Sequence, residues 1–300
     1  MTIRRLLTAA SGEPESMLLL AIVAAGALIW LAFFYFGSKG ISRRADAGKE
    51  DAIRFELAAA PRSDRHVESL LAANPKSMSL LRQYVGNAMD RQDWPEALRR
   101  ADLFIARLPK SADGRLARIN ILRMSGHGEE SVALLRKLVR RTPKDPGVLW
   151  TWSEEAIRRQ DWAEAVLRLE RLRKWAPDWT LGHVEAAKAL VASGRRDEAE
   201  ALLAEAMRRS PEEWRIWQAA AWIAEGADEQ AGAIRRWEQM RAAFPAEPAG
   251  FLGGAEALAR AGEAAAAAAL IRQARDFFPG DAAIKEAAAR LVPEAPQEAV

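Results

Sequence analysis

The sequence predicts an all-α protein built from stacked helix–turn–helix repeats, because several sets of residues recur at fixed spacing. Prolines and small residues each return every 34 positions. Since proline makes up about 5% of average sequences, six further prolines in one register would arise by chance at a frequency of about 10⁻⁸. The prolines are Pro75, Pro109, Pro143, Pro177, Pro211, Pro245 and Pro279. The small residues are Ala97, Ser131, Ala165, Ala199, Ala233 and Ala267.

Each recurring position has a physical role in such a repeat. A small side chain lets the two helices of a repeat approach closely. Gly126, Gly194 and Gly262, which recur at twice the period, suit the tight turn between those helices. Proline ends the second helix because it lacks the N–H group and its ring clashes with the preceding turn. Each unit is therefore predicted as helix A, turn, helix B and stop.

Two segments carry a family resemblance. Residues 93–98 (DWPEAL) and 161–166 (DWAEAV) lie at the predicted start of helix B. With the 34-residue period, they resemble the tetratricopeptide repeat (TPR) family over residues 76–279. The resemblance implies a right-handed TPR-like α-solenoid whose helices A line a groove for a protein or peptide partner.

Composition limits the function. The net charge is +3, the pI is about 9.3 and there is no cysteine. This mild basicity does not predict a nucleic-acid partner, and disulfides and thiolate metal sites are excluded. The three histidines, His66, His127 and His183, do not have the spacing of a helical metal site. The sequence contains no catalytic motif, so we expect neither enzymatic activity nor a cofactor or metal.

The N-terminal part predicts a membrane anchor. After a polar tail at residues 1–16, residues 17–36 contain no charged side chain, and a helix of this length would span about 30 Å. A cleaved signal peptide is the alternative, but its apolar region is usually only about 7–15 residues long. The segment Met17–Phe36 is therefore expected to be a retained, single-pass transmembrane helix that precedes the solenoid.

The flanking charges favour one orientation. Lys39, Arg43, Arg44 and Lys49 follow the apolar segment, whereas only Arg4 and Arg5 precede it. Because cationic loops remain on the cytoplasmic side, the repeats are expected in the cytoplasm, on the inner membrane if the host is bacterial. A periplasmic location is the alternative.

The rest of the chain follows in order. Residues 37–61 form a basic juxtamembrane segment. Residues 62–292 are the predicted solenoid, with a degenerate leading repeat, six fuller repeats and an amphipathic capping helix after Asp281. Residues 293–300 are predicted to be a disordered acidic tail.

The family register also predicts which side chains line the groove. They are Arg82, Asn120, Arg123, Trp150, Glu154, Lys188, Arg215, Gln218 and Trp222, with Glu225 and Glu256 farther along. For Trp150 and Trp222, partner binding and packing between helices are equally compatible with the sequence. The acidic-tail clamp of some family members is absent, because Gly86 occupies one of its positions.

These features predict a membrane-anchored scaffold that binds a partner peptide or subunit. Resemblance to bacterial membrane proteins of this layout implies assembly of a cell-envelope or polysaccharide secretion complex. The alternative is a periplasmic chaperone, or an accessory subunit of a membrane enzyme complex of the cytochrome c maturation type.

Overall fold

The computed structural model describes residues 63–225 and 230–292, and this part of the chain is entirely helical. The all-α prediction is therefore confirmed for these residues. The predicted anchor at residues 17–36, the segments beside it and the tail at residues 293–300 lie outside the described residues. Between residues 63 and 292, apart from the gap at 226–229, no helix combines the length and the apolar character needed to cross a bilayer.

The helices follow one another with short turns. They are α1 (Asp64–Ala73), α2 (Met78–Asp90), α3 (Trp94–Arg107), α4 (Asp113–Met124), α5 (Gly128–Arg141), α6 (Pro146–Arg158), α7 (Trp162–Trp175), α8 (Thr180–Ala192), α9 (Arg196–Arg209), α10 (Trp214–Glu225), α11 (Gln230–Ala243), α12 (Pro248–Arg260), α13 (Ala264–Phe277) and α14 (Ala282–Leu291). From α2 to α13, even-numbered helices are helices A and odd-numbered helices are helices B.

The chain divides into two compact units, with the boundary between Leu138 and Val139. In the first unit, each helix from α1 to α4 packs on the next. In the second unit, the same is true from α6 to α14, and α8 also contacts α10 directly. The last helix, α14, places Ile284 and Ala287 in a core cluster with Phe251 and Ile271.

The small-residue positions lie where the helices of a repeat meet. All six side chains are buried, with at most 3% of their surface exposed. Ser131, the polar member, donates its hydroxyl hydrogen to the carbonyl oxygen of Ile119 at 2.9 Å. This bond satisfies a hydroxyl group that would otherwise be costly to bury.

The proline positions have a second role as hydrogen-bond acceptors. The carbonyl oxygen of Pro177 accepts the Nε2–H of His183 at 2.8 Å, and that of Pro211 accepts the indole N–H of Trp217 at 3.2 Å. Arginines serve the same purpose elsewhere, as when Arg171 donates to Pro143 at 3.0 Å. Carbonyl groups just beyond a helix C-terminus lack intrahelical partners, so these side chains satisfy them.

The turns between helices A and B share one backbone conformation. Gly126, Gly194 and Gly262 have φ of 89°, 77° and 81°, while Gln92 and Gln160 have φ of 58° and 56°. The conformation therefore recurs every 34 residues, although glycine recurs only every 68. A side chain in this region costs about 1 kcal/mol or more.

An N-cap follows each strained glutamine. Asp93 and Asp161 accept the backbone N–H of Glu96 and Glu164 at 3.2 Å. Such a cap stabilises a helix by about 1 kcal/mol, which offsets the strain of the turn. The helices that follow Gly194 and Gly262 have no side-chain cap at their first residue.

A set of arginines shares the 68-residue period. Arg100, Arg168 and Arg236 each donate to a carbonyl oxygen sixteen residues earlier, in helix A of the same repeat. The donor–acceptor distances are 2.7, 2.6 and 2.7 Å. These arginines therefore connect helix B to helix A in alternate repeats.

The burial of Ala165 gives a stability prediction. Ala165→Leu should lower the free energy of unfolding by about 1–3 kcal/mol, because the larger side chain would overpack the contact between α6 and α7. The exposed Arg159 is the control, and Arg159→Ala should change stability by less than about 0.5 kcal/mol. Urea denaturation of both variants tests this, and equal, negligible effects would contradict the assigned register.

Candidate partner-binding site

The helix A surface of the second unit carries an exposed tryptophan beside a cation. Trp222 on α10 is 43% exposed, although tryptophan is usually well buried. The ammonium nitrogen of Lys188 on α8 lies 5.4 Å from the centre of the Trp222 ring, within the range of a cation–π interaction. The two residues, predicted from register alone, therefore form one site.

A buried tryptophan holds Trp222 in place. Trp237 on α11 is 1% exposed, and its ring meets that of Trp222 edge-to-face, with centroids 6.4 Å apart. The Trp237 indole N–H donates to Glu225 at 2.6 Å. Its ring lies against the backbone of Gly253, where an added Cβ would be only 2.4 Å away. Trp222 thus has a rigid support beneath an exposed face.

Lys188 also has a fixed partner. Its ammonium group forms an ion pair with Glu185 at 2.8 Å, one helical turn away. Exposed pairs of this kind contribute little to stability, about 0–1 kcal/mol. The pair therefore positions the cation over the Trp222 ring at small energetic cost, and both charges remain accessible to a partner.

Trp150 has a different environment. It is 2% exposed and stacks on Trp179, with ring centroids 6.0 Å apart and an angle of 21° between the ring planes. Its burial indicates packing within the second unit, the alternative that the sequence left open. Glu154, one turn later on α6, is half-buried.

The remaining predicted residues of the second unit lie on α10. Arg215 is exposed, and its guanidinium lies 4.5 Å from the centre of the Trp214 ring. Gln218 is half-buried and precedes Trp222 by four residues, so both lie on one face of the helix. Gln218 and Trp222 thus extend the site along α10.

The predicted residues of the first unit are less accessible. Arg82 is buried and forms an ion pair with Asp113. Asn120 and Arg123 are half-buried on α4. Arg82 therefore connects α2 with α4, and its guanidinium presents little surface to a partner.

Two arginines that were not predicted extend the charged surface of the second unit. Arg260 pairs with Glu225 at 2.6 Å, and Arg290 pairs with Glu256 at 2.8 Å. With Leu291, the residues Glu256, Arg260 and Arg290 line a shallow depression. The sequence did contain a signal for Arg260, because it occupies the same register position as Arg158 three repeats earlier.

The described residues contain no group of three or more histidine, aspartate or glutamate side chains that could hold a metal ion. Their chemistry at this surface is that of non-covalent recognition. An exposed indole provides an apolar contact, and Lys188 provides a nearby positive charge.

Comparison with known proteins identifies the repeat. One tetratricopeptide repeat model matches residues 87–146, and a second matches residues 156–223. The chain is a tetratricopeptide repeat protein. No curated protein has a sequence that matches it.

Solved structures of other TPR proteins share the fold. Yeast Tom70 has 16% identity and a TM-score of 0.59, and the match covers 76% of this chain but only 50% of Tom70. A TPR protein from Parabacteroides merdae has 15% identity and a TM-score of 0.56, with 83% and 97% of the chains covered. PilW, described as a widely conserved type IV pilus biogenesis factor, has 16% identity and a TM-score of 0.52, with 72% and 97% covered. At such low identity, the likeness concerns the fold alone.

One histidine of this TPR protein links stability to pH. Burial, together with the charges of Arg173 and Arg209, lowers the pKa of His183 below its ordinary value near 6.5, despite the Pro177 hydrogen bond and Asp178. The Nδ1 atom of His183 is buried without a partner, so protonation there gains no hydrogen bond. Below pH 6.5 the unfolded chain therefore binds a proton more readily than the folded chain.

We accordingly expect the unfolding free energy to fall as the pH drops below about 6.5. The slope attributable to His183 should not exceed ~1.4 kcal/mol per pH unit, the limit for one proton. His183→Gln keeps a donor for Pro177 and should remove this contribution. His127→Gln, at an exposed imidazole, is the control. Urea titrations between pH 5 and 8 test this, and an unchanged slope in His183→Gln would contradict it.

Proposed function

We propose that this protein is a membrane-anchored scaffold that holds a segment of a partner protein on the surface formed by α8 and α10. The observation that carries the proposal is the exposed Trp222 ring, supported by Trp237 and adjacent to Lys188. Tryptophan is enriched among the residues that dominate binding energy at protein interfaces. A rigid indole also loses little conformational entropy when a partner covers it.

The chemistry of this surface favours a partner segment of mixed character. Trp222 offers an apolar face to an aliphatic or aromatic side chain. Lys188 and Arg215 offer positive charge to an acidic side chain of the same segment, and Gln218 offers amide hydrogen-bonding groups. Because Glu185 and Glu225 lie close by, a strongly acidic segment would meet repulsion as well as attraction.

Support for the anchor comes from the sequence. The uncharged run at residues 17–36 is long enough to span a bilayer, and the cations after it favour a cytoplasmic location of the repeats. An anchor would confine the partner to the membrane surface, and the protein would contribute by positioning its partner.

We propose assembly of a cell-envelope complex as the process served. The support is the combination of the predicted anchor with a TPR fold that is also found in PilW, a pilus biogenesis factor. A periplasmic location of the repeats would instead favour the chaperone or accessory-subunit function.

Partner binding should depend on Trp222. With a photo-crosslinking amino acid at Gln218, the full-length protein in its host should capture a reproducible partner, and Trp222→Ala should weaken that capture. Removal of an interface aromatic often costs about 2 kcal/mol or more, roughly a 30-fold loss of affinity. Crosslinking followed by mass spectrometry measures this.

The matched control is Trp175→Ala, which removes a tryptophan of similar exposure, 41%, from helix B. It should leave the capture unchanged. Thermal melts should show both variants folded, since Trp222 contributes only an edge contact to Trp237. Equal capture by wild type and Trp222→Ala, or equal loss in both variants, would contradict the proposed site.

The anchor has its own test. Sodium carbonate washing should leave the full-length protein in the membrane pellet, because a transmembrane helix stays inserted when peripheral proteins are released. Removal of residues 17–36 should shift the protein to the supernatant. Quantitative release of the intact chain would disprove the anchor, and a phosphatase fused after Val300 that is active would place the repeats in the periplasm.

A further inference from the structure

The outer surface of α7 exposes apolar side chains among cations. Leu167 is 61% exposed and Trp175 is 41% exposed, and both lie on helix B, away from the α8–α10 site. Lys144, Arg171 and Lys174 surround them. We call these five residues the basic–apolar patch, and all of them belong to the second unit.

The geometry places the five side chains together. Leu167, Arg171 and Lys174 are spaced four and three residues apart, so they share one face of α7. The ammonium nitrogen of Lys144 lies 4.2 Å from the centre of the Trp175 ring. Arg171 donates to the carbonyl oxygen of Pro143 at 3.0 Å, which holds the loop that carries Lys144 against the helix. The patch is therefore an ordered surface.

The cations of the patch differ from those on the neighbouring helix B. On α9, Arg195 pairs with Glu198, and Arg208 and Arg209 pair with Glu205.

In contrast, no ion pair between described residues involves Lys144, Arg171 or Lys174, and the exposed Arg140 and Arg141 at the end of α5 add further positive charge. Glu170 is the acidic residue on this face of α7. The patch thus has a net positive charge that its own surroundings do not neutralise.

We propose that the basic–apolar patch rests on the anionic headgroups of a lipid bilayer. Lysine and arginine side chains are attracted to anionic lipids, and tryptophan favours the interface between headgroups and acyl chains. Leu167 would contact the acyl boundary, an apolar contact that a nucleic-acid backbone does not offer. The patch includes neither Lys188 nor Trp222, so lipid contact and partner binding fail or succeed independently.

The chain contains no cysteine, so a single introduced cysteine can be labelled uniquely. Ala163→Cys places a label on the exposed face of α7, one turn before Leu167, and keeps the whole patch. The labelled full-length protein is reconstituted into phosphatidylcholine vesicles with and without phosphatidylglycerol, and headgroup-level nitroxide lipids quench the fluorophore. The control label, Arg215→Cys, lies on α10.

Quenching at position 163 should be several-fold stronger with phosphatidylglycerol. It should return to the level of neutral vesicles in the double variant Arg171→Glu and Lys174→Glu, and it should fall in Trp175→Ser. The label at position 215 should respond little to lipid composition. Thermal melts confirm that these exposed substitutions leave the protein folded.

Three results would overturn the proposal. The label at position 163 could be insensitive to anionic lipid, or both labels could be quenched equally. The third is a signal that changes with single-stranded DNA or with an acidic polypeptide but not with the vesicles, which would assign the patch to that class of partner.

Discussion

Most of the contacts between helices in a repeat depend on the short distance between helix A and helix B. At Ala165 the side chain is fully buried, so α6 and α7 approach closely. Because of this approach, Arg168, three residues later, reaches the carbonyl oxygen of Trp152 at 2.6 Å and lies 4.7 Å from the centre of its ring. Ser131 reaches Ile119 by the same geometry in the first unit. Wider separation of the helices would break these polar contacts and leave buried groups without partners.

The repeat was predictable because each recurring residue performs its role locally. A proline ends a helix and a small residue permits a close contact wherever they occur, so the spacing alone predicted the alternation of helices. The exposure of individual side chains was not predictable, since it depends on other repeats. Trp150 is covered by Trp179, whereas Trp222 has Trp237 beneath it and nothing among the described residues fully covers its outer face. Arg82 had the register of a groove residue, but Asp113, 31 positions later, holds it in a buried ion pair.

The second unit combines two exposed aromatic side chains on different helices. Trp222 belongs to helix A and stands on a buried ring, while Trp175 belongs to helix B and lies beneath a lysine ammonium group. Their surroundings differ in charge: Lys188 has a carboxylate partner, but Lys144 has no ion pair with a described residue. Neutral, rigidly supported aromatic surface favours a protein partner, and unneutralised positive charge favours an extended anionic surface. A scaffold fixed to a bilayer would use both, one to hold its client and the other to set the height and tilt at which the client is held.

The alternation of repeat types has a consequence for changes in chain length. Strained glutamine turns with an aspartate cap, and arginines that reach back to helix A, occur in every second repeat. Adjacent repeats are therefore not interchangeable, although they have the same length. Loss or gain of 68 residues would preserve the order of turn types and arginine contacts. Loss of 34 residues would join two repeats of one kind, so the pair of repeats, and not the single repeat, is the natural module for shortening or extending this protein.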